Sequence, residues 1–325
     1  MDEFKFIQSI TPKYYRHPNV IKGIGDDAAI IRHQQVDTIM AMDTMVESVH
    51  FSKKTTKPYH IGYRALAANI SDIAAMGGKA TAYLVSIVIP KRWREGQIHE
   101  IYQGMNDLAQ SFNMDMIGGD TVTGEQLTIS ITVIGTVQQG KARYRSHAKP
   151  DDIVFVTGTL GDSACGLHVL LHCSETEFDQ YQHVINRHQM PMPRIPFIQA
   201  CHKINRMALN DISDGIANEA NEIAEASNLL LELDYEKFPI HPSLRNFSEQ
   251  QQVNWSLSGG EDFELVGTIP AHDWAILEEA AKKSNTDVTK IGVVKDRKNK
   301  NGTAWIYHGN EYKQLDKSGY THLKG

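Results

Sequence analysis

Apolar and polar positions alternate with two different periods along this chain, and the period changes sort the first half into strands and helices. The runs "AAIIR" and "TIMAMD" are short, apolar and separated by the polar "HQQVD", which predicts a hairpin. "HIGYRALAANISDIAAMGG" has apolar residues at helical spacing and stops at glycines. "ATAYLVSIVIP" reads as a strand closed by Pro90, "REGQIHEIYQGMNDLAQSFN" as a helix, and "MDMIGGD" as a short strand running into a glycine turn. "LTISITVIGTV" alternates strictly and predicts another strand. The basic, turn-rich "QQGKARYRSHAKPDD" follows, and a domain boundary is expected there, giving units 1–140 and 141–325.

The second half restarts with the strand "IVFVTG" and the turn "TLGDS", where Asp162 and Ser163 are expected to cap a helix. Later come the turn "NDISDG", a helix from Ile216, the turn "SLSGGED", and strands near "FELVGTI" and "VTKIGVV". The stretch from Cys173 to Pro193 carries no usable pattern. Strands mixed with helices throughout predict an α/β fold in two units.

Composition narrows the function classes. The chain has 325 residues, 41% hydrophobic and 22% charged, with a formal net charge of −6. It has no block of lysines and arginines, so nucleic acid and anionic membrane are poor partners. The start "MDEFKFIQSI" lacks a signal-peptide layout, and "AYLVSIVIP" is too short to span a bilayer, so a cytoplasmic protein is expected. The three cysteines, Cys165, Cys173 and Cys201, form no C-x-x-C pair. Cys165, His168 and His172 would share a helix face, but without the glutamate of H-E-x-x-H they read as packing residues.

The chemistry lies in the acids. Carboxylates recur beside glycine or serine at the ends of apolar runs: Asp26 and Asp27 in "GIGDD", Asp43, Asp120 in "MIGGD", Asp211 and Asp214 in "NDISDG", Glu261 and Asp262 in "SGGED". Asp72 joins them from a helix, three residues after Asn69. Any one of these is ordinarily a turn former or a solvated position. Their repetition, at strand ends expected to converge on one edge of a sheet, points to bound cations, because gathered carboxylates repel strongly without them. Carboxylates with few thiols or imidazoles nearby suit Mg²⁺. "GIGDDA" also fits G-x-G-x-x-A, but a strand rather than a helix follows it, and its two acids would repel a pyrophosphate. "NDISDG" fails the EF-hand spacing, and no G-x-x-x-x-G-K-[ST] or protein-kinase motif set is present. A nucleotide would therefore be gripped through metals, and Asp26 and Asp27 make sense beside a polyphosphate if Mg²⁺ lies between.

The ordered motifs "GIGDDAAI", "MDTMVESVHF", "ALAANISDIAAMGG", "MIGGDT", "VTGTLGDSACG", "NDISDG", "LSGGEDFEL" and "SGYTHL" resemble the thiamine-monophosphate kinase family, across nearly the whole chain. Several are shared with the wider superfamily of aminoimidazole ribonucleotide synthetase and selenophosphate synthetase. The resemblance implies N-terminal and C-terminal α/β domains, a homodimer joined at a sheet-rich N-terminal interface, and the reaction of ATP with thiamine monophosphate to give thiamine diphosphate and ADP. It implies Asp27, Asp43, Asp72, Asp120, Asp211 and Asp214 as Mg²⁺ ligands. Gly119, Asp120, Arg145, Ser213 and Phe112 would contact ATP, and His50, Glu261 and Tyr320 the thiamine monophosphate. Asp72, Asp120 and Arg145 would carry the catalytic load. Family members often have serine or threonine just before the Asp43 position; here Ala41 and Met42 offer only backbone carbonyls there. An aminoimidazole ribonucleotide synthetase-type ligase and a non-catalytic Mg–nucleotide sensor remain alternatives at this level.

Overall fold

The computed structural model describes residues 20–22, 26–33, 36–296 and 302–317. Its first sheet has six strands: β1 (Val20–Lys22), β2 (Ala29–His33), β3 (Val36–Val46), β4 (Lys79–Ile89), β5 (Asp115–Thr123) and β6 (Thr128–Gln138). They lie in the order β1-β2-β3-β6-β4-β5. The β2–β3 hairpin is present, with Ala29 opposite Met40 and His33 opposite Val36. Alternation gives the sheet one apolar face, with Ile129, Ile131 and Val133 of β6 fully buried. That face is covered by α1 (Pro58–Ala75) and α2 (Glu95–Ser111).

Helix α1 starts with Pro58 in its first turn, where no backbone N–H is needed, and is buried on nearly every side. It crosses α2 at very close range. A Cβ at Gly62 would stand 1.8 Å from the Ile101 carbonyl oxygen, and one at Gly104 would stand 1.9 Å from that of Tyr59. Both glycines are therefore fixed by backbone approach.

The "MIGGD" segment departs from the expected short strand and turn. β5 runs straight through Gly118 and Gly119 to Thr123, parallel to β4. The free edge of β4 supplies the pairing that the glycines alone would not dictate. A bulge at Met116–Gly118 shifts its register.

The second sheet holds β7 (Ile153–Thr157), β8 (Ala208–Asp211), β9 (Leu230–Asp234), β10 (Leu265–Ile269), β11 (Val288–Lys295), β12 (Thr303–His308) and β13 (Glu311–Gln314). Their order is β13-β12-β9-β11-β7-β10-β8, which leaves β8 on the edge. Around it pack α3 (Asp162–His172), α4 (Gln182–Gln189), α5 (Ile195–Ala200), α6 (Ile216–Ser227), α7 (Glu249–Ser258) and α8 (Trp274–Lys283). The continuous apolar run of β7 has a simple cause: both faces of this strand are covered. Phe155 joins the core shared with the first sheet, and Val154 and Val156 join a second core under α6. The patternless stretch after Cys173 forms a 3-10 turn, Glu175–Tyr181, and then α4.

Candidate functional site

Three carboxylates meet where the two sheets face each other. Asp27 stands in the bend that enters β2, Asp72 projects from the last turn of α1, and Asp211 ends β8. One oxygen from each lies within 4.8 Å of the other two. Asp211 accepts from Ser71 Oγ at 2.7 Å, which ties the edge of the second sheet to α1. The convergence differs from the expected meeting of strand ends on one sheet edge. The first sheet is largely antiparallel, so its acids come from a bend, a mid-strand position and a helix, and the second sheet adds one strand end.

Electrostatics mark the group as unfavourable on its own. Burial pushes Asp72 well above the ordinary carboxylate range, and repulsion from Asp43, Asp211 and Asp27 adds to it. Burial and then Asp27 push Asp211 well up in the same way. Asp27 is also raised by burial, against the pull of Arg145. Its Oδ1 is buried and has no hydrogen-bond partner. An orphaned carboxylate oxygen beside two further carboxylates is the donor set that a hard divalent cation satisfies, so these residues fit Mg²⁺.

Arg145 enters from a 3-10 turn, Arg145–His147. Its Nε donates to Asp27 Oδ2 and to Asn210 Oδ1, both at 3.1 Å, and its Nη1 stands 3.0 Å from Glu222. Burial opposes its charge, but Asp27, Glu222 and Glu219 outweigh that and hold the guanidinium charged. Behind it, Glu219 of α6 is buried and pushed well up by burial and by Glu222. Glu219 accepts from Asn210 Nδ2 at 2.5 Å, from the Asp214 backbone N–H at 3.1 Å and from Ser213 Oγ at 3.4 Å. It thus organises the "NDISDG" loop. Sequence reasoning missed Glu219, Glu222 and Asn210; the signal was an acid in the first turn of the helix after that loop.

The remaining predicted residues fall in three places. Asp43 is on β3, where its backbone N–H donates to Asn69 Oδ1 at 2.9 Å, and its carboxylate is close enough to raise Asp72. Ser213 and Asp214 follow β8 directly. Met42 is 62% exposed and alternates to the other face of β3, away from the acids. Gly119 and Asp120 lie on β5, where Asp120 is in register with Ser86. Ser86 alternates with the buried Val85 and Ile87, so Asp120 projects from the sheet face opposite α1. Phe112 caps the C-terminal end of α2 and packs, half-buried, on the first core. His50 accepts the Val46 backbone N–H on Nδ1 at 3.0 Å. Glu261 pairs with Arg64 across the domains. Tyr320 lies outside the described residues.

One local expectation changes, and the packing role expected of the Cys165–His172 stretch holds. Asp162 is the first residue of α3, but the cap is supplied from elsewhere: Asp262 accepts the backbone N–H groups of Gly161 at 2.6 Å and Ser163 at 2.9 Å. Asp162 instead accepts from Thr159 and His183. Cys165 is buried in a small core, its thiol pushed up to about 12 by burial and then Asp162, while His168 packs on Trp255 and Phe247.

Residues 25–137 match the AIR synthase related protein N-terminal domain, and residues 149–304 the corresponding C-terminal domain. The chain is 45% identical to the thiamine-monophosphate kinase of Bacillus subtilis, with 100% of both chains covered. The crystal structure of the thiamine-monophosphate kinase of Stenotrophomonas maltophilia has a TM-score of 0.78 and 30% identity, covering 90% of this chain and 92% of that one. AaThiL complexed with AMPPCP and TMP has a TM-score of 0.82 and 27% identity, covering 98% of this chain and 95% of that one. Motifs, two matched domains and full-length similarity agree: the chain belongs to the thiamine-monophosphate kinase family of AIR synthase related proteins.

Proposed function

We propose that this chain transfers the γ-phosphoryl group of ATP to the phosphate of thiamine monophosphate, giving thiamine diphosphate and ADP. The observation that carries the reading is the Asp27–Asp72–Asp211 group, poised for a divalent cation beside a charged Arg145. The likeness to AaThiL complexed with AMPPCP and TMP supports the choice of the two substrates. Mg²⁺ there would be held by these residues with Asp43, Asp214 and the Met42 carbonyl, and would supply charge neutralisation of the transferring phosphates; Asp120, on the opposite face of the first sheet, is not part of that set.

The chain's own residues then have defined work. Arg145, with Gly119, Ser213 and Phe112, binds the nucleotide, and its fixed charge faces the phosphates. His50, Glu261 and Tyr320 hold the acceptor. The acceptor phosphate has a second pKa near ~6 and is already an anionic nucleophile at neutral pH, so no side chain has to remove a proton. Transfer is direct and in line, and the site's task is to bring two anions together. We further propose that residues 1–140 and 141–325 act as two units, that the enzyme works in the cytoplasm, and that it is a homodimer. β5 is exposed along its whole length, and Met42, Met116, Ile117 and Val122 are exposed apolar residues on β3 and β5. A second copy on the outer face of this sheet would cover the side from which Asp120 projects.

The test is to incubate the protein with ATP, Mg²⁺ and thiamine monophosphate and to follow products by chromatography. Thiamine diphosphate and ADP are expected in equal amounts, with Asp72→Asn slower by roughly 10²-fold or more. ADP without thiamine diphosphate would move the ligase reading ahead, and Mg–ATP bound but never consumed would favour a sensor.

A further inference from the structure

Arg64 is a charged residue on a helix that is otherwise buried and largely apolar, and it is itself only 1% exposed. Among the described residues its three side-chain contacts all lead away from its own helix. Nη2 pairs with Glu261 of the second domain. Nη1 donates to the His50 carbonyl oxygen and to His188 Nε2, both at 3.4 Å. Because a guanidinium only donates, His188 Nε2 must accept, which places the imidazole proton on Nδ1. Nδ1–H then donates to Ser163 Oγ at 3.1 Å. Burial, and then the Arg64 charge, push the His188 pKa well down, in keeping with this neutral form.

The contacts close into a ring. Arg64 bonds His188, His188 bonds Ser163, the Ser163 backbone N–H bonds Asp262, and Asp262 is joined by one peptide bond to Glu261, which returns to Arg64. Glu261 is further fixed at its backbone, where its N–H donates to the Ser213 carbonyl at 2.7 Å and φ is +68°. A non-glycine residue in this left-handed region persists only where its surroundings over-determine it. α1 carries Arg64 two turns before Asp72, about 12 Å along the same helix face. One rigid helix thus fixes both the acidic group and the Glu261 carboxylate.

We propose that Arg64 is a positioning residue for the acceptor: it sets the Glu261 carboxylate and the His50 backbone in place, with neutral His188 as its second anchor. This rests on the reading of Glu261 as an acceptor contact. Arg64 acts through Glu261 and has no role in gripping the nucleotide. Lysine keeps the charge but loses the fork that reaches Glu261 and His188 together.

The experiment is a double-mutant cycle in steady-state kinetics on the full-length enzyme, with Arg64→Lys, Glu261→Gln and the pair. Arg64→Lys is expected to raise the KM for thiamine monophosphate about tenfold while leaving the KM for ATP within about twofold. In the Glu261→Gln background the same change is expected to add little, because the group it positions is gone. Multiplicative effects in the double variant, or an equal rise in the KM for ATP, would overturn the proposal and leave Arg64 as a tie between domains. An unaltered acceptor KM in Glu261→Gln, in an otherwise active enzyme, would remove the acceptor role of Glu261 and the proposal with it. Absence of thiamine diphosphate from the unmodified protein would instead reject the kinase reading itself. Should Arg64→Lys fail to fold, His188→Gln, which alters the second anchor but retains Arg64 and Glu261, carries the same expectation and the same cycle.

Discussion

At the scale of single residues, this protein keeps charge where its fold would be better off without it. Asp27, Asp72 and Asp211 are each raised, so ionising them in the folded chain is opposed first by burial and then by neighbouring carboxylates. The proposed function explains the retention: a cation and a polyphosphate would complete the set. His188 shows the opposite device, a base kept neutral by burial and by Arg64. Its folded pKa lies well below the unfolded value near ~6.5, so the unfolded chain takes up the proton first as pH falls. The stability it contributes is present above pH ~6.5 and is lost below it, by up to about 1.4 kcal/mol per pH unit. Denaturant unfolding between pH 7 and 5 should show a slope shallower by one proton in His188→Gln. Identical slopes would mean that His188 is protonated in the native state.

At the scale of elements, α1 is the part on which the site depends. It bears Asn69, Ser71 and Asp72 for the acidic group and Arg64 for Glu261. Its position is set by the glycine crossing with α2, so packing and function are coupled there. Gly104→Ala should cost about 1–3 kcal/mol by overpacking and should lower turnover by shifting Asp72, read as a fall in Tm together with kcat. A variant of normal Tm would contradict the close crossing. The sequence made much of this legible. The helix of α1 could be read from apolar spacing, and Asp27, Asp72 and Asp211 from acids recurring at the ends of apolar runs. Arg64 left only a weak trace, a single cation inside an apolar stretch, because its partners are more than a hundred residues away apart from His50. Asp120 was grouped with the other acids by its glycine turn. The face it occupies depends on the β5 register and its bulge, which are tertiary facts. Asp262 was hidden for the same reason, since it caps a helix a hundred residues earlier in the chain.

At the scale of the whole molecule, two sheets meet across the acidic group, and among the described residues the first sheet has an exposed face and edge. Among the described residues no helix is long and apolar enough to cross a membrane. In the proposed dimer the exposed apolar residues on β3 and β5 face a second copy, and light scattering should give twice the 36.5 kDa chain mass. Ile117→Lys should shift that mass toward one copy; a monomer in the unmodified protein would rule the dimer out. The central claim is that the nucleotide is gripped through cations on Asp27, Asp72 and Asp211. Its most direct test is calorimetric titration of AMPPCP into the protein with Mg²⁺ and, separately, with EDTA. The account predicts binding with Mg²⁺, none measurable in EDTA, and affinity weakened at least about tenfold in Asp72→Asn. Equal affinity in Mg²⁺ and EDTA would contradict it, because a bare cluster of buried carboxylates cannot attract a triphosphate.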